Sequence, residues 1–106
     1  MAPTRWGIAG CGLISNDFAT AIASVEDKTA HKIVAVAARS EDKAKQFAAA
    51  QLLTDTKAYG GYEGLANDKD VEVVYVGAIN PAHLAICKLM LNSGKHVLCE
   101  KVTLFG

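Results

Sequence analysis

Short apolar runs alternate with amphipathic segments along the chain, and this alternation constrains the fold more than any other feature of the sequence. The runs "HKIVAVAAR" and "VEVVYVGA" are apolar at consecutive positions, which is typical of strands buried on both faces of a sheet. Before the first of these runs, Phe18, Ile22 and Val25 have the i, i+4, i+7 spacing of an amphipathic helix. Strands and helices that alternate in this way form right-handed βαβ units in a parallel sheet.

The sequence therefore predicts an α/β fold: a doubly wound, Rossmann-like parallel sheet of about five strands in the order 3-2-1-4-5. The predicted strands cover residues 4–8, 32–38, 56–59, 71–77 and 95–100. In such a sheet, ligands bind beyond the carboxyl ends of the strands, near the switch between strands 1 and 4. We expect the functional residues at that edge.

Capping residues mark two of the predicted helices. Ser40 is placed to cap a helix whose apolar positions Ala44, Phe47 and Ala48 fall on one face. The last helix is bracketed by Asn80-Pro81 and Gly94. Because its sequence "AHLAICKLMLNS" is apolar nearly all round, we expect this helix to be largely buried.

Composition excludes several classes of protein. The chain has 106 residues, enough for one domain, and 51% of them are hydrophobic, which favours a packed core. Basic and acidic residues number 11 each, so net charge indicates no nucleic-acid partner. No apolar run approaches the about 20 residues of a membrane span, and the amino terminus lacks the layout of a secretory signal. Cys11, Cys87 and Cys99 lack metal-ligand spacing, so we expect reduced, partly buried thiols in a cytoplasmic protein.

The turn after the first strand reads Gly10-Cys11-Gly12-Leu13-Ile14-Ser15. This is the dinucleotide fingerprint with serine in the place of the third glycine. Gly10 allows a tight turn, and Gly12 lets backbone N–H groups approach a pyrophosphate. Ser15 is small enough for close packing of helix on strand. The motif follows a strand and opens a helix, which is the required context, so the sequence predicts a dinucleotide ligand rather than an ordinary glycine loop.

The end of the second strand indicates which dinucleotide is bound. An NAD site needs an acidic residue there for the ribose hydroxyls, but the strand ends Ala37-Ala38-Arg39-Ser40. Arg39 offers a guanidinium that can pair with a 2′-phosphate, and Ser40 offers a hydroxyl. The alternative is that Arg39 is a solvated loop residue and Ser40 only a cap. We favour NADP over NAD.

Four blocks of the sequence together resemble one known family. They are "RWGIAGCGLIS", "VAVAARSEDKAKQFA", "KAYGGYEGLAND" and "VEVVYVGAINPAHLAICKLMLNSGKHVLCEK", and they resemble the Gfo/Idh/MocA oxidoreductases. Within that family the resemblance is to the dimeric trans-1,2-dihydrobenzene-1,2-diol dehydrogenases, which also oxidise D-xylose with NADP. The match runs from Arg5 to Lys101, and its most specific parts are "GKHVLCEK" and the "AARS" turn. It implies hydride transfer between NADP and a sugar or diol hydroxyl in an often homo-oligomeric enzyme.

The resemblance also implies a set of site residues. The cofactor-binding residues would be Gly10, Gly12, Leu13, Ile14, Ser15, Arg39, Ser40, Asn80, His83, Glu100 and Lys101. Asn80 and His83 would pass close to the nicotinamide. Glu100-Lys101 match the family's Glu-Lys-Pro motif, whose lysine lies near the nicotinamide ribose and the substrate hydroxyl. Lys101 is thus the candidate catalytic residue, because a positive charge there stabilises a developing alkoxide. The alternatives are an ordinary first-turn His83 and an exposed strand-end Lys101.

The resemblance stops at Val102, where the family has proline. We expect residues 1–101 to form the dinucleotide-binding domain and residues 102–106, "VTLFG", to be a non-matching tail. The family continues into a second α/β domain with the substrate pocket. Because the second domain is missing, we expect the chain to be a truncated product that is inactive alone. Its expected small-molecule partner is NADP, and a sugar or diol substrate is expected only in a complete protein. The alternatives are a non-catalytic NADP(H)-binding module and an interaction protein that pairs with a full-length relative.

Overall fold

The computed structural model describes residues 4–10, 13–23, 30–51, 53, 55–77 and 82–99. Their strands are β1 (Thr4–Ala9), β2 (His31–Ala38), β3 (Lys57–Gly60), β4 (Val73–Val76) and β5 (His96–Cys99). These strands form one sheet in the order β3-β2-β1-β4-β5, and every neighbouring pair is parallel. The predicted fold class and strand order are therefore confirmed. β2 is buried from Ile33 to Ala38, as expected of a strand covered on both faces.

Capping residues mark the start of one helix and the end of another. They are α1 (Leu13–Ala23), α2 (Glu41–Ala50), α3 (Glu63–Ala66) and α4 (Ala82–Asn92). At the start of α2, Ser40 Oγ accepts a hydrogen bond from the backbone N–H of Lys43 at 3.2 Å, so the predicted N-cap is confirmed. After α4, Gly94 has a φ angle of 81°, the left-handed conformation that glycine adopts most readily after a helix.

The core has two parts, one on each face of the sheet. On one face, Leu65 of α3 and Met90 of α4 pack against strand residues such as Val74. On the other face, Ala19 of α1 and Phe47 of α2 pack around Ile8 and its neighbours. Helices on both faces of a parallel sheet make the fold doubly wound.

The expectation that α4 is largely buried is wrong. Ile86, Cys87 and Met90 are buried against the sheet, but Leu84 and Leu91 are 61% and 59% exposed. The sheet contacts only one side of α4, so apolar residues on the other side stay exposed.

A charged network joins the amino ends of the strands. The buried Asp68 carboxylate accepts hydrogen bonds from Lys57 Nζ at 2.9 Å and from the Tyr59 hydroxyl at 2.7 Å. Burial raises the pKa of Asp68, but these donors and the backbone N–H of Asp70 outweigh it, so its pKa lies below the usual value. The buried Lys95 ammonium donates to the backbone carbonyl of Asp68 at 2.7 Å. The network fixes the loop before β4 at the edge opposite the predicted site.

None of the helices in the described parts of the chain is long and apolar enough to cross a membrane.

Candidate functional site

The candidate site lies at the carboxyl edge of the sheet, where all five parallel strands end. Gly10 follows β1, Arg39 follows β2, Gly61 follows β3 and Gly77 follows β4, while Cys99 ends β5. The parallel pairing brings these ends to one edge, next to the switch between β1 and β4. Within the described residues this edge carries Arg39, whose positive charge suits a phosphate, and glycines such as Gly10 and Gly61.

The described residues that flank the turn after β1 fit a dinucleotide site. Gly10 has a φ angle of 95°, which L side chains rarely adopt, and its N–H donates to Ala37 O of β2 at 2.9 Å. Helix α1 begins three positions later, at Leu13. The backbone of Leu13 and Ile14 lies in the first turn of α1, whose N–H groups have no partner within the helix. This arrangement fits a pyrophosphate.

Ser15 packs at the closest approach between α1 and the sheet. Its side chain is completely buried, and its hydroxyl has no hydrogen-bond partner among the described residues. A Cβ added to Gly77, at the end of β4, would fall on Ser15 Oγ and lie 3.4 Å from Ser15 Cβ. The small side chain at position 15 and the glycine at position 77 thus allow helix and strand to meet. The Ser15 hydroxyl faces Gly77, so its contribution to this edge is close packing.

Hydrogen bonds on both sides hold the backbone around Arg39, at the end of β2. The residue is exposed, and the next residue, Ser40, is fixed as the cap of α2. The neighbouring strand reinforces this position, because Gly61 N–H donates to Ala38 O at 2.7 Å and a Cβ on Gly60 would lie 2.8 Å from the backbone nitrogen of Glu41. Ser40 accepts a hydrogen bond as a cap, which leaves its hydroxyl hydrogen available to a ligand.

Arg39 takes part in none of the ion pairs that the structure records between described residues. The carboxylates nearest in sequence, Glu41 and Asp42, lie in the first turn of α2, and Glu41 pairs with Lys45 at 3.4 Å. The last position of β2 is Ala38, so the strand presents no acid of its own to a ribose.

Several predicted site residues lie outside the described part of the chain. They are Gly12, Asn80, Glu100 and Lys101. His83 lies in the first turn of α4, and of this residue the backbone alone is described. The structure therefore brings Gly10, Ser15, Arg39 and Ser40 to one edge, while the assignment of ligand roles to all of these residues stays a prediction.

Sequence reasoning missed the role of Gly77. The signal was present, since a glycine directly follows the apolar strand "VVYV" at the edge where the ligand was expected. The pattern could not identify Ser15 as the residue that packs against Gly77, because the two are more than sixty positions apart in the sequence.

Comparison with known proteins identifies the family to which this sequence is similar. Residues 4–101 match the family model GFO_IDH_MocA, described as an oxidoreductase family with an NAD-binding Rossmann fold. The chain is 51% identical over 98 residues to the trans-1,2-dihydrobenzene-1,2-diol dehydrogenase of Xenopus laevis, covering 92% of this chain and 29% of the relative. It is 52% identical over 99 residues to the enzyme of the same name from Homo sapiens, covering 93% and 29%. The chain thus spans about 29% of the length of these curated relatives.

Solved structures give the same result. A 3-ketoreductase from Actinomadura kijaniata in complex with NADP superimposes with a TM-score of 0.81 at 31% identity, covering 93% of this chain and 30% of that chain. The myo-inositol dehydrogenase of Lactobacillus casei in complex with NAD(H) and myo-inositol superimposes with a TM-score of 0.83 at 25% identity, covering 95% and 29%. One of these similar folds holds NADP and the other NAD(H).

Proposed function

This chain belongs to the Gfo/Idh/MocA oxidoreductase family, and from that premise we propose that it binds NADP in preference to NAD. The observation that carries the proposal is the end of β2, where exposed Arg39 and Ser40 stand in the place of an acidic residue. A guanidinium binds a phosphate through paired, charge-assisted hydrogen bonds. An NAD site would place a carboxylate there for the ribose hydroxyls.

The support around Arg39 strengthens the proposal. The Gly61 hydrogen bond to Ala38 O holds the backbone before Arg39 and the Ser40 cap holds it after Arg39, so the backbone needs little further ordering on binding. The first turn of α2 begins two residues after Arg39 and presents backbone N–H groups at the same edge of the sheet. In this proposal Gly10 and the start of α1 bind the pyrophosphate of the same ligand.

Replacing Arg39 with alanine tests this preference. Loss of a charge-assisted contact costs about 1.5–3 kcal/mol, so the Kd for NADP should rise roughly ten- to a hundredfold. The Kd for NAD should stay within about twofold of the wild-type value, because NAD has no 2′-phosphate for Arg39 to contact. Lys32→Ala is the matched control, since Lys32 is an exposed cation at the opposite end of the same strand. Equal weakening of both cofactors by Arg39→Ala would refute the proposal.

We further propose that the complete protein transfers a hydride between NADP and a hydroxyl-bearing carbon of a diol or sugar. The names of the relatives support this substrate class, because trans-1,2-dihydrobenzene-1,2-diol and myo-inositol both carry neighbouring ring hydroxyls. Bound NADP supplies the hydride acceptor. In this proposal Lys101 contacts the substrate hydroxyl and favours loss of its proton through its positive charge.

The 106-residue chain on its own is expected to bind NADP without turnover. Hydride transfer needs the substrate carbon held against the nicotinamide, and one lysine cannot position it. The test measures NADPH formation from a trans-dihydrodiol or D-xylose at saturating NADP, with Lys101→Ala as the control. Turnover by the isolated chain that disappears in the control would overturn this expectation.

A further inference from the structure

Two cysteines that are distant in sequence meet between α4 and β5. The Sγ atoms of Cys87 and Cys99 are 2.9 Å apart, and both residues are free thiols. A disulfide needs the sulfurs at about 2.05 Å, so a movement of about 1 Å would bring them to bonding distance. Cys87 lies on the face of the sheet that α4 covers, and Cys99 contacts it from the end of β5.

The two thiols differ in their surroundings. Cys87 is buried on the inner side of α4, and burial, followed by its contact with Cys99, raises the pKa of Cys87 to about 12. Cys99 is exposed at the carboxyl end of β5. A small oxidant therefore reaches Cys99 first, while Cys87 stays protonated and is shielded from direct attack.

We propose that Cys87 and Cys99 form a redox modification site, at which a peroxide converts the two thiols into a reversible disulfide inside one chain. This inference goes beyond the proposed cofactor function and does not depend on it. A pair made of one accessible thiol and one adjacent resolving thiol is the arrangement that reversible thiol oxidation requires.

The chemistry takes two steps. The Cys99 sulfur attacks one oxygen of the peroxide, the O–O bond breaks, and the displaced oxygen leaves as water with the thiol proton. This gives a sulfenic acid at Cys99. The Cys87 sulfur then attacks the Cys99 sulfur, the S–O bond breaks, and the hydroxyl leaves as a second water with the Cys87 proton. The two thiols lose two electrons to the peroxide, and a dithiol reductant returns them.

The cross-link would fasten an edge strand to its helix. β5 has four residues and pairs within the described sheet with β4 alone, so local opening at this edge needs few contacts to break. A disulfide across the 12-residue separation of the two cysteines removes that freedom. We expect slower amide hydrogen exchange in residues 96–99 of the oxidised protein, and a rise in melting temperature of about 10 °C.

Trypsin separates the three cysteines, which makes the test direct. Cleavage after lysine and arginine places Cys11 in peptide 6–28, Cys87 in peptide 70–88 and Cys99 in peptide 96–101. The reduced chain is treated with a stoichiometric amount of hydrogen peroxide. We expect an intact mass lower by the two thiol hydrogens, a 70–88 to 96–101 linked pair after digestion, and recovery of both thiols with dithiothreitol.

Three variants complete the experiment. Cys11→Ser should form the same linked pair. Cys87→Ser should stop at a sulfenic acid on Cys99 that dimedone traps, and Cys99→Ser, at an exposed position, should form no linked pair at the same peroxide dose. The proposal is overturned if peroxide links peptide 6–28, makes dimers between chains, or only adds oxygen to the wild-type chain.

Discussion

Gly77→Ala is expected to destabilise the domain through steric conflict at the junction of α1 and β4, above all with the Ser15 hydroxyl. A Cβ at this position would fall on the Ser15 hydroxyl and lie 3.1 Å from Tyr75 Cε2. The φ angle of Gly77 lies outside the left-handed region, so the backbone accepts alanine and the cost is one of packing. Overpacking of this kind costs about 1–3 kcal/mol. For a domain of this size that lowers the melting temperature by roughly 5–20 °C.

Ser15→Ala should rescue this loss. The substitution removes the hydroxyl and leaves a Cβ that lies 3.4 Å from the new methyl group, an ordinary contact distance. Alone, Ser15→Ala also removes a buried hydroxyl without a partner, so it should leave the free energy of unfolding unchanged or raise it by up to about 2 kcal/mol. The double variant should therefore recover most of the stability that Gly77→Ala loses.

The assay is urea unfolding of the wild type, the two single variants and the double variant. We expect a coupling free energy of about 1–3 kcal/mol, whereas independent sites add within about 0.5 kcal/mol. Gly94→Ala is the control, because Gly94 has a φ of 81° and open space around its Cβ position. Its cost comes from backbone strain and should not change with Ser15→Ala. Additive effects of Gly77→Ala and Ser15→Ala would refute the packing argument.

Three further predictions concern stability away from this junction. The pKa of Asp68 is lowered in the folded state, so its contribution to stability is present above the unfolded pKa of 3.8 and is lost as pH falls through the folded pKa. The difference between the unfolding free energies at pH 7 and pH 3 should therefore be smaller in Asp68→Asn than in the wild type. Lys95→Met leaves two buried carbonyl oxygens without their donor and should cost about 2–3 kcal/mol in urea unfolding, against little change for exposed Lys45→Met. Ser40→Ala removes the cap of α2 and should lower stability by about 1 kcal/mol, a loss that Ser40→Asp should largely avoid in thermal melts.

The buried strands and the helix ends could be predicted because they depend on local chemistry, and the strand order followed from the rule for doubly wound sheets. Consecutive apolar residues in β2 indicate burial on both faces, and Ser40 and Gly94 act on backbone groups within a few residues of themselves. The glycine turn belongs to the same class, since the positive φ of Gly10 follows from its place between β1 and α1.

Most of the features that sequence reasoning missed depend on residues that are distant in the chain. Nothing in the neighbourhood of Lys95 indicates that its ammonium reaches Asp68, and nothing around Cys87 indicates Cys99. Such information exists only once the strands have been assembled. The exposure of Leu84 and Leu91 was missed although the sequence carried a signal for it: the exposed Lys88 lies at i+4 from Leu84 and at i−3 from Leu91 on the same side of α4.

The charged network at the amino edge of the sheet has a consequence for how such a domain can evolve. Lys57, Asp68 and Lys95 secure the fold at one end of the strands, whereas Arg39 stands at the other end, exposed and outside this network. Substitutions at these two ends share no contacts, so their effects should add. A lineage can therefore change its cofactor preference at Arg39 without disturbing the network at the amino edge. Ser40 and Gly77 lie at the ligand edge and support the fold as well, so only part of that edge can vary freely with the ligand.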